Sequence, residues 1–331
     1  MTRKRHQFHD PVETAYREYS PRLVATAVAA RERLDNPADD EALHDFRVAV
    51  RRLRTHIEAH RAQLTKRRAE KILQELRELV STTNALRDLE VRRDWLERLA
   101  RRKSTPKLQR EGLELALKDL DNSDATTPDA SAPHQITRQF AKIARDFKVE
   151  SGGKPASGKP VYRGERLSAI TARAILKHVA TLRRHLSKLR TLDDVKATHR
   201  ARLAVKRLRY LIEPLEKLVP GTPRIVRDLK RMQDRLGDLR DLQILETHII
   251  VKVGKAARRW SQHLIAIGAK DARVAAITRG SAESRACYAL AAGMQRVRRE
   301  ERREFRGLEK RWLNGSADPL IDRIEILAGR L

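Results

Sequence analysis

Basic residues recur at one spacing in two places along the chain, and that spacing suits the gripping of a linear anion. The first stretch is His44-Asp45-Phe46-Arg47-Val48-Ala49-Val50-Arg51-Arg52-Leu53-Arg54, and the second is His199-Arg200-Ala201-Arg202-Leu203-Ala204-Val205-Lys206-Arg207-Leu208-Arg209. An offset of 155 aligns them, with seven of eleven positions identical and two exchanged like for like, Val48/Leu203 and Arg51/Lys206. Glu58 and Glu213 hold the same offset. At about 100° per residue of α-helix, His44, Arg47, Arg51 and Arg54 share an arc of about 80°. Phe46, Val50, Leu53 and Ile57 fall on a separate apolar arc. The second copy divides in the same way, with His199, Arg202, Lys206 and Arg209 beside Ala201, Val205, Leu208 and Ile212.

Like charges three and four residues apart on a helix repel one another. A stripe of four therefore calls for an anion from elsewhere. Arginine offers a planar fork of donors that bridges two phosphate oxygens, whereas Lys206 supplies a mobile point charge. Successive cations about 5–6 Å apart along the face form a ladder for a polymer that is charged at every unit. Histidines charge below about pH 6.5, so His44 and His199 are expected to strengthen binding between pH 8 and pH 6. Arg52 and Arg207 lie about 100° round from the stripe, where pairing with acids competes with ligand binding. Glu58 and Glu213 are read as partners that position neighbouring arginines.

The elements that must present these stripes are helical. Helices are expected over 11–34, with an interruption near Pro21, and from Asp39 to Leu64 with the first stripe. Residues 66–100 read as one or two helices, and 106–121 and 134–150 as one each. In the second half, helices are expected over 165–189, 193–219 with the second stripe, 224–251, 256–268, 271–293 and 294–313. Leu86-Arg87-Asp88-Leu89 recurs as Leu239-Arg240-Asp241-Leu242 at an offset of 153, so the repeat extends past the stripes. Arg87 and Arg240 each precede an aspartate, and an internal Arg–Asp brace competes with a ligand-binding role there. No run of strand-like alternation occurs. The expected fold is all-α, two pseudo-symmetric helical-bundle repeats around a basic central groove or pore. The repeats divide as 1–150 and 165–331, with loose segments at about 122–133 and at 151–164, where Ser, Gly and Pro accumulate.

Bulk composition narrows the partners. The 331 residues carry 72 Lys+Arg against 44 Asp+Glu, a formal net charge of +28, and such a field gathers polyanions. Aromatic residues make up 4%, so Leu, Ala, Val and Ile must fill the core. Trp95, Trp260 and Trp312 are read as packing anchors rather than platforms for stacked bases. Arg61, Arg67, Arg68, Arg101 and Arg102 are read as solvated surface charges. A single cysteine, Cys287, rules out an internal disulfide. No zinc-type Cys/His spacing, P-loop or apolar run of membrane length is present, so no metal, no cofactor and no membrane contact are expected, and a cytoplasmic protein is.

His-x-x-Arg-Val-x-x-Arg-Arg-Leu-Arg followed by Leu-Gly-x-x-Arg-Asp, with the set duplicated, resembles the CHAD family, whose name stands for conserved histidine α-helical domain. The resemblance spans about residues 10–315. It implies a duplicated helical bundle with a basic centre, binding of inorganic polyphosphate and association with polyphosphate granules. Family members are often fused to a triphosphate-tunnel catalytic domain marked by Glu-x-Glu-x-Lys, which does not occur here; a stand-alone, non-catalytic binding module is therefore expected. The family's basic positions fall on His44, Arg47, Arg51, Arg52, Arg54 and Arg87 in the first half. In the second half they fall on His199, Arg202, Lys206, Arg207, Arg209 and Arg240. Thr83-Asn84 stands where the second half has Leu236-Gly237. A basic nucleic-acid-binding helical protein is the alternative, and the scarcity of aromatics weighs against base stacking.

Overall fold

The computed structural model describes residues 10, 12–36, 38–39, 41–61, 66–82, 84–123, 138–145, 165–268 and 281–331. The N-terminal nine residues, 124–133 of the first expected loose segment and the whole of 151–164 lie outside the described residues, and 122–123 close the helix before them. Among the described residues the regular elements are helices, with no β-strand, as the sequence predicts. In chain order they are α1 (Val12–Glu32), α2 (Ala42–Ala59), α3 (Lys66–Thr82), α4 (Asn84–Ala100) and α5 (Lys107–Ser123). A helical segment at 138–145 follows. Then come α6 (Leu167–Leu186), α7 (Val195–Ile212), α8 (Thr222–Gly268), α9 (Ala282–Trp312) and α10 (Asp318–Gly329). The stripes lie on α2 and α7.

The apolar arcs of those two helices are buried. Phe46, Val50, Leu53 and Ile57 are at most 2% exposed, and Ala201, Val205, Leu208 and Ile212 are fully buried. They enter different clusters. Residues of α1, α2 and α3 with Phe140, Ile143 and the first turn of α6 form one core, where Phe46 meets Phe140 edge-on at 5.2 Å. α6, α7, the first half of α8, the end of α9 and α10 form a second. A third joins α4 and α5 to the middle of α8 and to α9, through Leu96, Leu113, Leu242, Leu245 and Val297. Burial of this much apolar surface is the main favourable term in the fold.

Four details differ from the sequence reading. α1 runs unbroken through Pro21. α8 continues through Gly254 to Gly268 as a single 47-residue helix, about 70 Å long at 1.5 Å per residue. α9 likewise continues through Gly293. Gly293 is there for packing, not to stop the helix: it lies against the backbone of Gly112 on α5, and a Cβ on Gly112 would collide with the Ala289 carbonyl. Finally, α10 is an additional helix. The positive φ of Asn314 (53°) and Gly315 (86°) turns the chain, and Pro319 in the first turn is preset for helix.

α2 and α7 pack directly on each other. Two polar devices fasten that contact. Glu213, just past α7, accepts from Arg52 Nε of α2 at 2.9 Å and lies 3.2 Å from Arg209 Nε. Buried His56 donates from Nε2 to the Tyr210 carbonyl at 2.9 Å. His60 donates from Nδ1 to the His56 carbonyl, and its Nε2 lies 3.2 Å from Thr171 Oγ1 of α6. The two rings stack with centroids 6.2 Å apart. Burial holds both neutral, pushing His56 down to about 3 and His60 to about 4.

Candidate anion-binding site

Packing α2 on α7 brings the two cationic stripes into one electrostatic neighbourhood. Lys206 is its centre. Burial lowers its pKa to about 6, and Arg51, Arg202, Arg54 and Arg209 push in the same direction. Two of those arginines come from α2 and two from α7. Among the described residues, Arg51, Arg54, Arg202, Lys206 and Arg207 have no carboxylate within 4.0 Å. The Nε atoms of Arg51 and Arg202 are buried without a hydrogen-bond partner. Unpaired donors and unneutralised charge in a partly buried place are costly to the folded state.

The second-half motif joins the same group. Arg240 on α8 has its pKa lowered by burial and by Arg202, against the opposing pull of Asp241 and Asp88. Gly237, one turn earlier on α8, faces the Arg202 guanidinium. A Cβ at Gly237 would stand 3.4 Å from the Arg202 Nε. The glycine of Leu-Gly-x-x-Arg-Asp thus faces the guanidinium of the stripe at ordinary contact distance, a link between two motifs 35 residues apart. His199 completes the cluster. Its pKa is lowered by burial and then by Arg240, Arg202, Arg200 and Lys206. Its neutral form is thus favoured while the site is empty, and the group poised to take up a proton near neutral pH is Lys206.

The remaining assigned residues are less alike. Arg47 is buried, 7% exposed, beneath the stripe. Arg52 and Arg209 are committed to Glu213 and flank the Tyr210 ring at 5.8 and 5.0 Å. They are ordered cations at the margin of the cluster, not free ones. His44 is exposed near the start of α2. Arg87 lies on α4, with its side chain outside the described residues.

Sequence reasoning missed the continuation of the site. Arg54 and Arg207 reach from the cluster into a cavity of about 620 Å³, where Arg77 of α3 and Arg173, Lys177 and His178 of α6 join them. Burial, followed by Arg207, Arg77 and Arg51, lowers the Arg54 pKa. Burial, followed by Arg207 and Lys177, brings His178 to about 4. Arg77, Lys177 and His178 belong to no repeated motif, so composition alone could not separate them from other surface charges.

One expectation fails outright. Arg102 is not a solvated charge. Its guanidinium forks onto Glu300 of α9 at 2.7 and 3.0 Å, and that carboxylate is 2% exposed. Arg101 is solvent-exposed and pairs with Glu97 of its own helix.

Comparison with known proteins agrees with the all-helical fold. Residues 21–249 match the family model of the CHAD domain. The crystal structure of the CHAD domain from the plant Ricinus communis superposes with a TM-score of 0.54 at 18% identity, covering 89% of this chain and 93% of the plant one. At that identity the likeness is one of fold. No curated protein matches the chain by sequence.

Proposed function

The chain belongs to the CHAD domain family, and from that premise we propose that it binds inorganic polyphosphate, without cleaving it, in a basic cleft between α2 and α7. The observation that carries this reading is the surplus of cations around Lys206. Two helices that are distant in sequence turn unneutralised arginines toward one lysine whose charge the fold already suppresses. Such an arrangement is self-destabilising until an anion enters. A linear polyphosphate, with a charge on every unit, suits a ladder of forked donors spaced by helical turns. The path runs from His199, Arg202 and Arg240, past Lys206, Arg51 and Arg54, to Arg207 and the cavity bounded by Arg77 and Lys177. Binding releases counterions, so affinity falls steeply with salt. Association with polyphosphate granules follows from holding the polymer.

Competition tests the reading. Long-chain polyphosphate is expected to displace labelled duplex DNA from the protein at far lower phosphate concentration than DNA displaces polyphosphate. DNA that competes equally, phosphate for phosphate, overturns the polymer assignment in favour of a general nucleic-acid binder. Chain length of the polyphosphate recovered after long incubation tests the absence of cleavage, and any shortening that tracks protein concentration refutes it.

A further inference from the structure

We propose that a second anion site, separate from the cleft, lies where the start of α8 meets the end of α9 and the first turns of α10, and that it takes the phosphate chain of a compact oligophosphate. A cavity of about 390 Å³ opens there, lined by Arg224, Arg227 and Arg231 of α8, Arg311 of α9 and Arg323 of α10. Spacings of three and four place the α8 arginines on one face, the ladder pattern of the stripes in miniature. Arg323 and Arg311 stand on the other elements around the same space.

The charges there are not balanced within the molecule. The cavity has one carboxylate, Asp228, which accepts from Arg323 at 2.8 Å and lies 3.6 Å from Arg231. Among the described residues, Arg224, Arg227 and Arg311 have no carboxylate within 4.0 Å, and the Nε of Arg323 is buried without a partner. Arg311 is steadied over the Trp312 ring at 5.5 Å, and that indole, 6% exposed, forms an apolar wall rather than a stacking surface. Five guanidiniums around a space of this size suit several closely linked phosphates, and the buried indole leaves nothing to read a base.

The site is not the tail of the cleft. Arg235, the next step along the α8 face, is neutralised by Glu304, which interrupts the ladder. Sixteen residues separate Arg224 from Arg240, about 24 Å along the helix.

Titration calorimetry on the full-length protein tests this, with tripolyphosphate, ATP and inorganic phosphate as probes. The starting protein is the cleft variant Arg202→Gln/Lys206→Gln, so that cleft binding does not mask the second site. Tripolyphosphate is expected to bind this variant. Adding Arg224→Gln/Arg227→Gln is expected to weaken that binding at least about tenfold, since each guanidinium lost removes a charge-assisted bond. Arg258→Gln/Arg259→Gln, which removes the same charge from an exposed stretch of α8, is expected to change it less than about twofold. ATP is expected to bind within about threefold of tripolyphosphate, and inorganic phosphate far more weakly, because the linked phosphates are the recognised group. Equal losses from the two double substitutions would overturn the site. ATP binding much more tightly than tripolyphosphate would overturn the chain as the group recognised. Because the cleft is disabled in every arm, failure here leaves the polyphosphate reading of the cleft untouched. Thermal midpoints of each variant confirm that the exposed substitutions leave the fold intact.

Discussion

Two regions of this molecule are rich in arginine, and they balance their charge in opposite ways. Along α9, Glu300, Glu301 and Glu304 are buried, each at most 3% exposed. Glu300 serves Arg102, Arg296 and Arg303, and Glu304 serves Arg235 and Arg303. Around Lys206 the arginines are just as crowded, but among the described residues Arg51, Arg54 and Arg202 have no carboxylate within 4.0 Å, and of the four that act on the lysine Arg209 alone is paired, with Glu213. The same residue type thus does two jobs. In the first region it closes an internal circuit of ion pairs. In the second the circuit stays open, as the proposed binding of polyphosphate requires. Counting arginines cannot separate the two; locating the carboxylates can.

The sharpest way to break this contrast is to remove charge on each side. Arg202→Gln/Lys206→Gln is expected to weaken polyphosphate binding about 100-fold or more, since each charge-assisted bond contributes roughly 1.5–3 kcal/mol. The thermal midpoint of the empty protein should hold or rise. The sign follows from Lys206. Its folded pKa of about 6 is below its ordinary 10.5, so the unfolded chain binds the extra proton between those values, and the lysine lowers stability across neutral pH. A midpoint that falls sharply would place the stripe among structural arginines. The counterpart is Glu300→Ala, which strands Arg102, Arg296 and Arg303. It is expected to cost about 3–5 kcal/mol of unfolding free energy, measured by denaturant titration, with the polyphosphate dissociation constant changed less than about threefold.

Protonation sharpens the comparison further. A bound polyanion restores charge to Lys206, so binding near pH 7 is expected to take up protons. Calorimetry in buffers of different ionisation enthalpy measures this, and Lys206→Met should abolish most of the uptake. Affinity should rise from pH 8 to pH 6. The histidine pair acts on stability instead. His56 and His60 fold neutral with pKa values of about 3 and 4, so the stability they contribute is present above pH 6.5 and is lost as the pH falls toward 4. Glu301, raised to about 8 by burial and by Glu246, works in the other direction. His56→Gln should therefore lower stability at pH 7.5 and flatten its decline below pH 6.5, as read by thermal melts across that range. The smallest effect expected is that of Gly237→Ala. Alanine favours the helix by about 1 kcal/mol and its methyl would meet Arg202 at ordinary contact distance, 3.4 Å, so the melting temperature should rise slightly and polyphosphate affinity should change less than about threefold.

Much of this was legible in the sequence because a duplicated motif reports on itself. The apolar arcs containing Phe46 and Val205, the all-helical class and the pairing of Glu213 with stripe arginines all follow from spacing. What was hidden depends on contacts between distant segments. Arg102 reads as a surface charge until Glu300, 198 residues later, folds beneath it. Arg77, Lys177 and His178 come from α3 and α6, which carry no stripe, and they meet Arg207 only through packing. The helix breaks expected near residues 252–255 and 293–294 do not occur; Gly254 faces open space and Gly293 is fitted to Gly112. The first half also offers no glycine at Thr83-Asn84, where the second half has Leu236-Gly237.

That single long α8 has a further consequence. Arg224, Gly237, Arg240 and Leu245 sit on one rigid shaft, so their relative angles are fixed by residue count alone. One inserted residue between Met232 and Leu236 would turn everything beyond it by about 100° and advance it by about 1.5 Å. Gly237 would then no longer face Arg202, and the apolar contacts with α4 and α5 would slip with it. Length changes in this protein should accordingly be confined to its connecting segments, with the shaft tolerating exchanges of residue but not of number.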